Sequence, residues 1–130
     1  MVISERAALQ ALGQAFTGLV RAAEPDLTLR QQAILFTVAL EPGPHTVRGL
    51  AARLGLAKPA VTRALDTLCR LGFLRRVADE TDLRNVLIER TVEGMAYLRN
   101  LSAFMRDAGI TDRPAPTRGA DTSVAEGAAA

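Results

Sequence analysis

Residues 47–76 read VRGLAARLGLAKPAVTRALDTLCRLGFLRR, and the way this run divides decides the fold. Val47 to Leu54 has the spacing of a short helix, and Gly55 follows as the residue best able to take the left-handed conformation that ends one. The next helix begins near Lys58, because Pro59 suits a first helical turn, where its missing N–H is not needed and its fixed φ helps. Gly72 is placed to end it. Two helices joined by a tight glycine turn make a helix-turn-helix, the motif whose second helix enters the DNA major groove.

A helical wheel tests that assignment. With Val61 as origin, Leu65 falls at about 40° and Leu68 at about −20°, a narrow stripe suited to burial. Pro59, Thr62, Arg63, Asp66 and Arg70 fall on the other side, between about 100° and 200°. This exposed strip has two arginines, a hydroxyl and no large apolar group. Lys58 stands at the helix start, where its ammonium and the free backbone N–H groups can meet a phosphate. Arg63 is the best candidate to read a base, since a guanidinium bonds guanine O6 and N7 together, and Thr62 can bond a base edge or touch a thymine methyl. Asp66 is repelled by phosphates; its primary role is to orient Arg63, Arg70 or a wing arginine, with acceptance of a cytosine amine as the lesser one. Taken alone, the strip is explained equally well as a solvated helix face.

Outward from this core, Leu74–Val77 and Val86–Arg90 are short β-prone runs joined by the polar link ADETDLRN, which together read as a hairpin that Arg75 and Arg76 begin. Thr91 opens a last helix through Met95, Leu98, Leu101 and Met105 to about Ala108, with Gly109 as its stop. Towards the N-terminus, LTLRQQAILFTVAL (27–40) has Thr28 and Gln31 at capping-box spacing, and Glu41-Pro42-Gly43-Pro44 cannot continue a helix. Before it, Ala7, Ala11, Leu12, Ala15, Phe16, Leu19 and Val20 form a wide stripe on a helix capped by Ser4. The predicted fold is mainly α with a small β-hairpin wing, a winged helix-turn-helix of about five helices. The domain occupies residues 1–110; residues 111–130, rich in small, polar, Pro and Gly residues, are predicted to be a disordered tail.

Charge follows the same division. The chain has 130 residues and a net charge of +2. Residues 46–90 carry nine Lys/Arg against five acids, while each flanking part is acidic by one, as expected if the middle faces a polyanion. A 48% hydrophobic composition with no Trp fits one aliphatic, helix-rich core. The single cysteine excludes an internal disulfide framework and suits a reducing compartment; with neither a signal-peptide pattern nor a membrane-length apolar run, a cytoplasmic protein is expected.

The runs LTLRQQAILFTVAL, VRGLAARLGLAKPAVTRALDTLCRLGFLRRVAD and RNVLIERTVEGMAYL, spanning roughly 26–98, resemble the MarR (multiple antibiotic resistance) family of transcriptional regulators. The resemblance implies a homodimer on a pseudo-palindromic operator in double-stranded DNA, usually as a repressor and often under a small-molecule effector, with terminal helices dimerising. By position it puts Lys58, Ala60, Thr62 and Arg63 in the recognition helix, Arg48 on the helix before it, and Asp82 and Arg84 in the wing. Arg70 and Arg76 join these as candidate DNA contacts from the wheel and the wing's start.

The chain departs from that family's pattern in two local ways. Its wing, DETDLR (79–84), has a net charge of −2, so its grip on DNA should be weak and rest on Arg84. Ala57 stands where the family commonly has a capping Ser or Thr, which forfeits on the order of 1 kcal/mol. The apolar stripes of the first and last helices can bury against each other or form an isologous dimer.

No Walker, HExxH or nucleophile-elbow motif is present, and one His with one Cys makes no zinc site within a subunit. Neither an enzyme nor a cofactor is expected. His45 reads as a surface loop residue, Cys69 as a structural thiol, and Phe16, Phe36, Phe73, Tyr97 and Phe104 as core. The competing function is a winged-helix protein-interaction module, an anti-repressor or partner of another regulator with little DNA binding of its own.

Overall fold

The computed structural model describes residues 3–107; the expected stop at Gly109 and the tail at 111–130 lie outside them. The elements run α1 (Glu5–Arg21), α2 (Leu29–Leu40), α3 (Val47–Leu54), α4 (Lys58–Arg70), β1 (Leu74–Ala78), β2 (Val86–Arg90) and α5 (Val92–Asp107). Local chemistry sets most boundaries. Ser4 Oγ accepts from the Ala7 amide at 3.0 Å. Thr28 and Gln31 exchange reciprocal bonds of 3.2 and 2.9 Å as a complete capping box. Thr46, which had no assigned role, caps α3 by accepting from the Gly49 amide at 3.0 Å. Gly55 ends α3 at φ 67°, in the left-handed region.

The end of α4 is a small correction. The helix stops at Arg70, Leu71 keeps a right-handed conformation, and Gly72 reverses the chain at φ 80°. The Phe73 amide then reaches back to the Leu68 carbonyl at 2.9 Å, a Schellman-type closure.

β1 and β2 pair antiparallel from Leu74 opposite Arg90 to Ala78 opposite Val86. A third element joins them: the Ile88 amide donates to the His45 carbonyl at 2.8 Å, an antiparallel bridge. His45 is thus half-buried, and its ring nitrogen lies 3.0 Å from the Glu41 carbonyl, so it is a built part of the wing base where a plain surface residue was expected.

One core, including Ile34, Leu35, Leu50, Val61, Leu65 and Leu68, joins the helices to the base of the wing. Thr91 links α4 to α5: its hydroxyl donates to the Gly72 carbonyl at 2.6 Å and accepts from the Gly94 amide at 3.0 Å. Gly94 is required there, because a Cβ would collide with the Phe73 carbonyl.

The first helix divides the stripe that the sequence presents as one. α1 packs on α5 through buried Ala11, Ala15 and Leu19. Leu9, Leu12, Phe16 and Val20 are 63%, 44%, 52% and 78% exposed on a face about 100° around the helix from the buried one. Phe16 is therefore not core, although Phe73 and Tyr97 are, with ring centroids 5.0 Å apart. In α5, Leu98 and Leu101 are buried while Val92 is exposed.

Candidate nucleic-acid interface

The site is built on the seat of α4. Val61, Ala64, Leu65 and Leu68 are buried, and α4 packs against α2, α3 and β1. Each fully buried large aliphatic side chain is worth about 1.5–3 kcal/mol, enough to fix which face of the helix points outward. Pro59, Thr62, Arg63, Asp66 and Arg70 are exposed, as the wheel places them, and Ala60 is half-exposed.

The helix start is poorer in free donors than the sequence suggests. Ala57 is extended at φ −72°, ψ 145° and gives no side-chain cap. Pro59 has no N–H, and the amides of Ala60 and Val61 both donate to the Ala57 carbonyl, at 3.0 and 3.2 Å. Among the described residues this leaves the Lys58 amide, beside its own ammonium, as the first-turn donor for a phosphate.

Arg48 at the start of α3, Lys58 at the start of α4 and Arg84 in the wing line one open cleft of about 760 Å³, with Thr46, Asp82 and Asn85. Three candidates from three elements thereby converge. Arg63 and Arg70 lie on the outer strip of α4 instead, and Arg76 lies on β1.

The cations differ in how they are held. Arg76 Nη2 donates to Asp66 Oδ1 at 2.8 Å, so of Arg63, Arg70 and the wing arginines left open for Asp66, a wing arginine is its partner. Arg84 Nε donates to Asp82 Oδ1 at 3.1 Å, Arg75 Nη2 to Glu89 Oε1 at 2.8 Å, and Arg53 grips Glu41 through two bonds of 3.1 and 2.9 Å. Arg48, Lys58, Arg63 and Arg70 have no carboxylate within salt-bridge distance among the described residues.

The wing's acids build its tip. Asp79 Oδ1 accepts from the Thr81 hydroxyl at 2.6 Å and the Thr81 amide at 2.9 Å; these bonds hold the Asp79 carboxyl below its usual range. Asp82 Oδ1 likewise accepts from the Arg84 amide at 3.1 Å. Behind α4, burial pushes the Cys69 thiol up, with Arg76 opposing in part, which is an environment for an inert thiol. The described residues contain no cluster of ligands able to hold a metal, and none of their helices is long and apolar enough to cross a membrane.

A second cleft, about 440 Å³, lies between the end of α1, the α1–α2 connection, α2 and α5. Tyr97 closes its floor and accepts from Gln32 Nε2 at 2.7 Å, while Gln32 Oε1 is buried without a partner among the described residues. Burial raises the Tyr97 hydroxyl pKa, although the Gln32 bond works against it. None of these residues is a candidate from the sequence: Tyr97 and Phe16 read as core, and Gln32 carries no signal beyond its place in a helix.

Comparison with known proteins agrees with this geometry. The model of the MarR family matches residues 26–85. The chain is similar to the crystal structure of CouR from Rhodococcus jostii RHA1 bound to p-coumaroyl-CoA, at 28% identity, 93% coverage of this chain, 80% of that chain and a TM-score of 0.58. It shares its fold with a transcriptional regulator from Thermotoga maritima at 24% identity, 78% and 69% coverage and a TM-score of 0.67. It shares it also with MepR of S. aureus in complex with DNA, at 22% identity, 73% and 75% coverage and a TM-score of 0.61. No curated protein matches the sequence. Residues 26–85, which hold the helix-turn-helix with the first strand and tip of the wing, belong to the MarR family of transcription regulators.

Proposed function

We propose that this protein is a sequence-specific DNA-binding regulator that represses transcription as a homodimer on a pseudo-palindromic operator, and that it is not an enzyme. The observation that carries the reading is the set of uncommitted cations. Arg48, Lys58, Arg63 and Arg70 have no salt-bridge partner among the described residues, and three of them stand on a helix whose buried side is fully occupied. In this reading Lys58 and Arg48 take phosphates, Arg63 reads a base, Thr62 and the small Ala60 let the helix approach, and Arg70 meets the backbone further along. Arg84 supplies a weak wing contact.

The exposed face of α1, Leu9, Leu12, Phe16 and Val20, supports an isologous partner. A two-fold dimer would set two recognition helices about 34 Å apart, one turn of DNA. CouR with its bound p-coumaroyl-CoA supports a small-molecule effector, for which the cleft above Tyr97 and Gln32 is the candidate site.

Selection of bound fragments from a random duplex library tests the reading. The expected result is a two-fold symmetric motif, bound with an affinity that falls steeply between low and physiological salt. One observation favours the alternative of a protein-interaction module: Arg75, Arg76 and Arg84 of the wing are each committed to a carboxylate. Absence of any bound duplex at low salt would leave that reading standing.

A further inference from the structure

The outer strip of α4 contains one residue that does not suit a phosphate-lined groove. Asp66 stands a turn beyond Thr62 and Arg63, and its carboxylate is repelled by the phosphates of any DNA sequence. Burial does not account for it, since the side chain is 51% exposed. Stability does not either, because an exposed ion pair contributes at most about 1 kcal/mol.

The geometry of the pair supplies a reason. Arg76 Nη2 donates to Asp66 Oδ1 at 2.8 Å, and among the described residues no protein group bonds the other oxygen, Oδ2. The partner comes from β1, ten residues on, so the carboxylate is held from the side of the wing. Arg76 lies opposite Ile88 in the strand register, and Ile88 is buried, so the arginine is rooted in the packed base of the wing. Orientation of an arginine and acceptance from a base are therefore compatible: one oxygen does each.

We infer that Asp66 is a specificity-determining residue that requires an exocyclic amine donor, the N4 group of cytosine, beneath it in each operator half-site, and that Arg76 is the positioning residue that holds it. The inference rests on the DNA-binding reading. Where the base edge offers a donor, Oδ2 accepts it. Where the edge offers only acceptors, the carboxylate meets like partial charge and the complex is penalised. Asp66 thus adds discrimination by rejecting wrong sites more than by tightening the right one.

The test is duplex-library selection with the full chain and its Asp66→Asn, Arg76→Gln and Arg76→Lys variants, with melting curves to show that each is folded. The wild type is expected to select a cytosine at one half-site position. Asp66→Asn should exchange that cytosine for adenine, the base an amide side chain favours, and should bind non-operator DNA about threefold to tenfold more tightly at low salt once the repulsion is gone. Arg76→Gln should weaken the cytosine preference, and Arg76→Lys should keep it.

An Asp66→Asn motif identical to the wild-type motif would overturn the inference while leaving the DNA-binding reading intact. So would an Arg76→Gln variant that keeps the cytosine but flattens the slope of log K against log salt by about 0.9, which is the signature of a lost phosphate contact. A wild type that selects no motif at all would remove both readings.

Discussion

The recognition helix and the wing carry similar numbers of cations and treat them in opposite ways. On α4, Lys58, Arg63 and Arg70 reach solvent without a carboxylate partner among the described residues, whereas on the wing Arg75, Arg76 and Arg84 each sit on one, at 2.8, 2.8 and 3.1 Å. A free cation can exchange condensed counterions for a phosphate at little internal cost. One that is already paired must first give up its partner, or carry that partner's negative charge towards the DNA. Counting arginines therefore overstates the wing, and the major-groove helix should hold most of the affinity and nearly all of the sequence information.

Arg63→Ala should break this contrast most severely. Removing a bidentate reader is expected to cost about 1–3 kcal/mol on the selected operator and to relax preference at one base position, measured by fluorescence anisotropy on the operator and its single-base variants. Equal loss on all sequences would make Arg63 a phosphate contact. Lys58→Ala should come next and differ in kind. It should weaken binding about uniformly across sequences and lower the salt slope by about 0.9. If Lys58→Ala instead changes base preference, the phosphate role of the helix start is wrong.

The third change sharpens the helix without touching its cations. Ala57 already has the extended backbone of an N-cap residue, so Ala57→Ser would supply an acceptor to first-turn amides that now share the Ala57 carbonyl. A stabilisation of about 1 kcal/mol is expected, or a rise of about 4–8 °C in Tm for a domain of this size. Calorimetry that gave a lower Tm would mean that the two bonds to the Ala57 carbonyl already satisfy the turn.

How much of this was legible depends on the range of the chemistry involved. The Thr28–Gln31 box, the Gly55 stop, the start at Pro59 and the buried Val61–Leu65–Leu68 stripe are set by neighbours within about one helical turn, and each is where the sequence puts it. The bridge from His45 to Ile88 is made by backbone groups, and no side-chain pattern announces it. Phe16 illustrates a different limit: periodicity says that a residue lies on an apolar stripe, and it does not say whether the stripe is wider than the neighbour that covers it. For Asp66, charge alone left Arg63, Arg70 and every wing arginine open; choosing Arg76 needed the hairpin's placement against α4. Of the candidate site, the free set of Arg48, Lys58, Arg63 and Arg70 came from the sequence, and the commitment of Arg76 and Arg84 did not. The signal for Arg84 was nonetheless local, since an Asp two residues earlier commonly turns back onto the backbone.

The wing also has a pH signature. The Thr81 bonds that lower the Asp79 pKa are made to the charged form, so the order they give the tip is present above the usual carboxylate range and is lost as pH falls through the lowered value. The Thr81 amide resonance should follow that titration in NMR, with a midpoint below that of an unperturbed aspartate. A midpoint at the ordinary value would show that the bonds to Asp79 do not persist in solution.

Arg84→Ala should have the smallest effect, and the comparison of the two regions turns on it. The Arg84 side chain is 91% exposed and looks like the strongest wing contact, yet its guanidinium is bonded to Asp82 through Nε at 3.1 Å. Because this cation is already held by an anion and the pair is screened by solvent, the loss on DNA is expected to stay below about 1 kcal/mol at physiological salt. Asp82→Asn is the informative companion. It frees the guanidinium while keeping an acceptor for the Arg84 amide, so affinity should rise and the salt slope steepen by about 0.9. If Arg84→Ala costs as much as Arg63→Ala, the ion pair opens readily on DNA and the wing is an equal partner. If Asp82→Asn gains nothing, Arg84 does not reach the backbone at all, and the interface ends at the two helices of the turn.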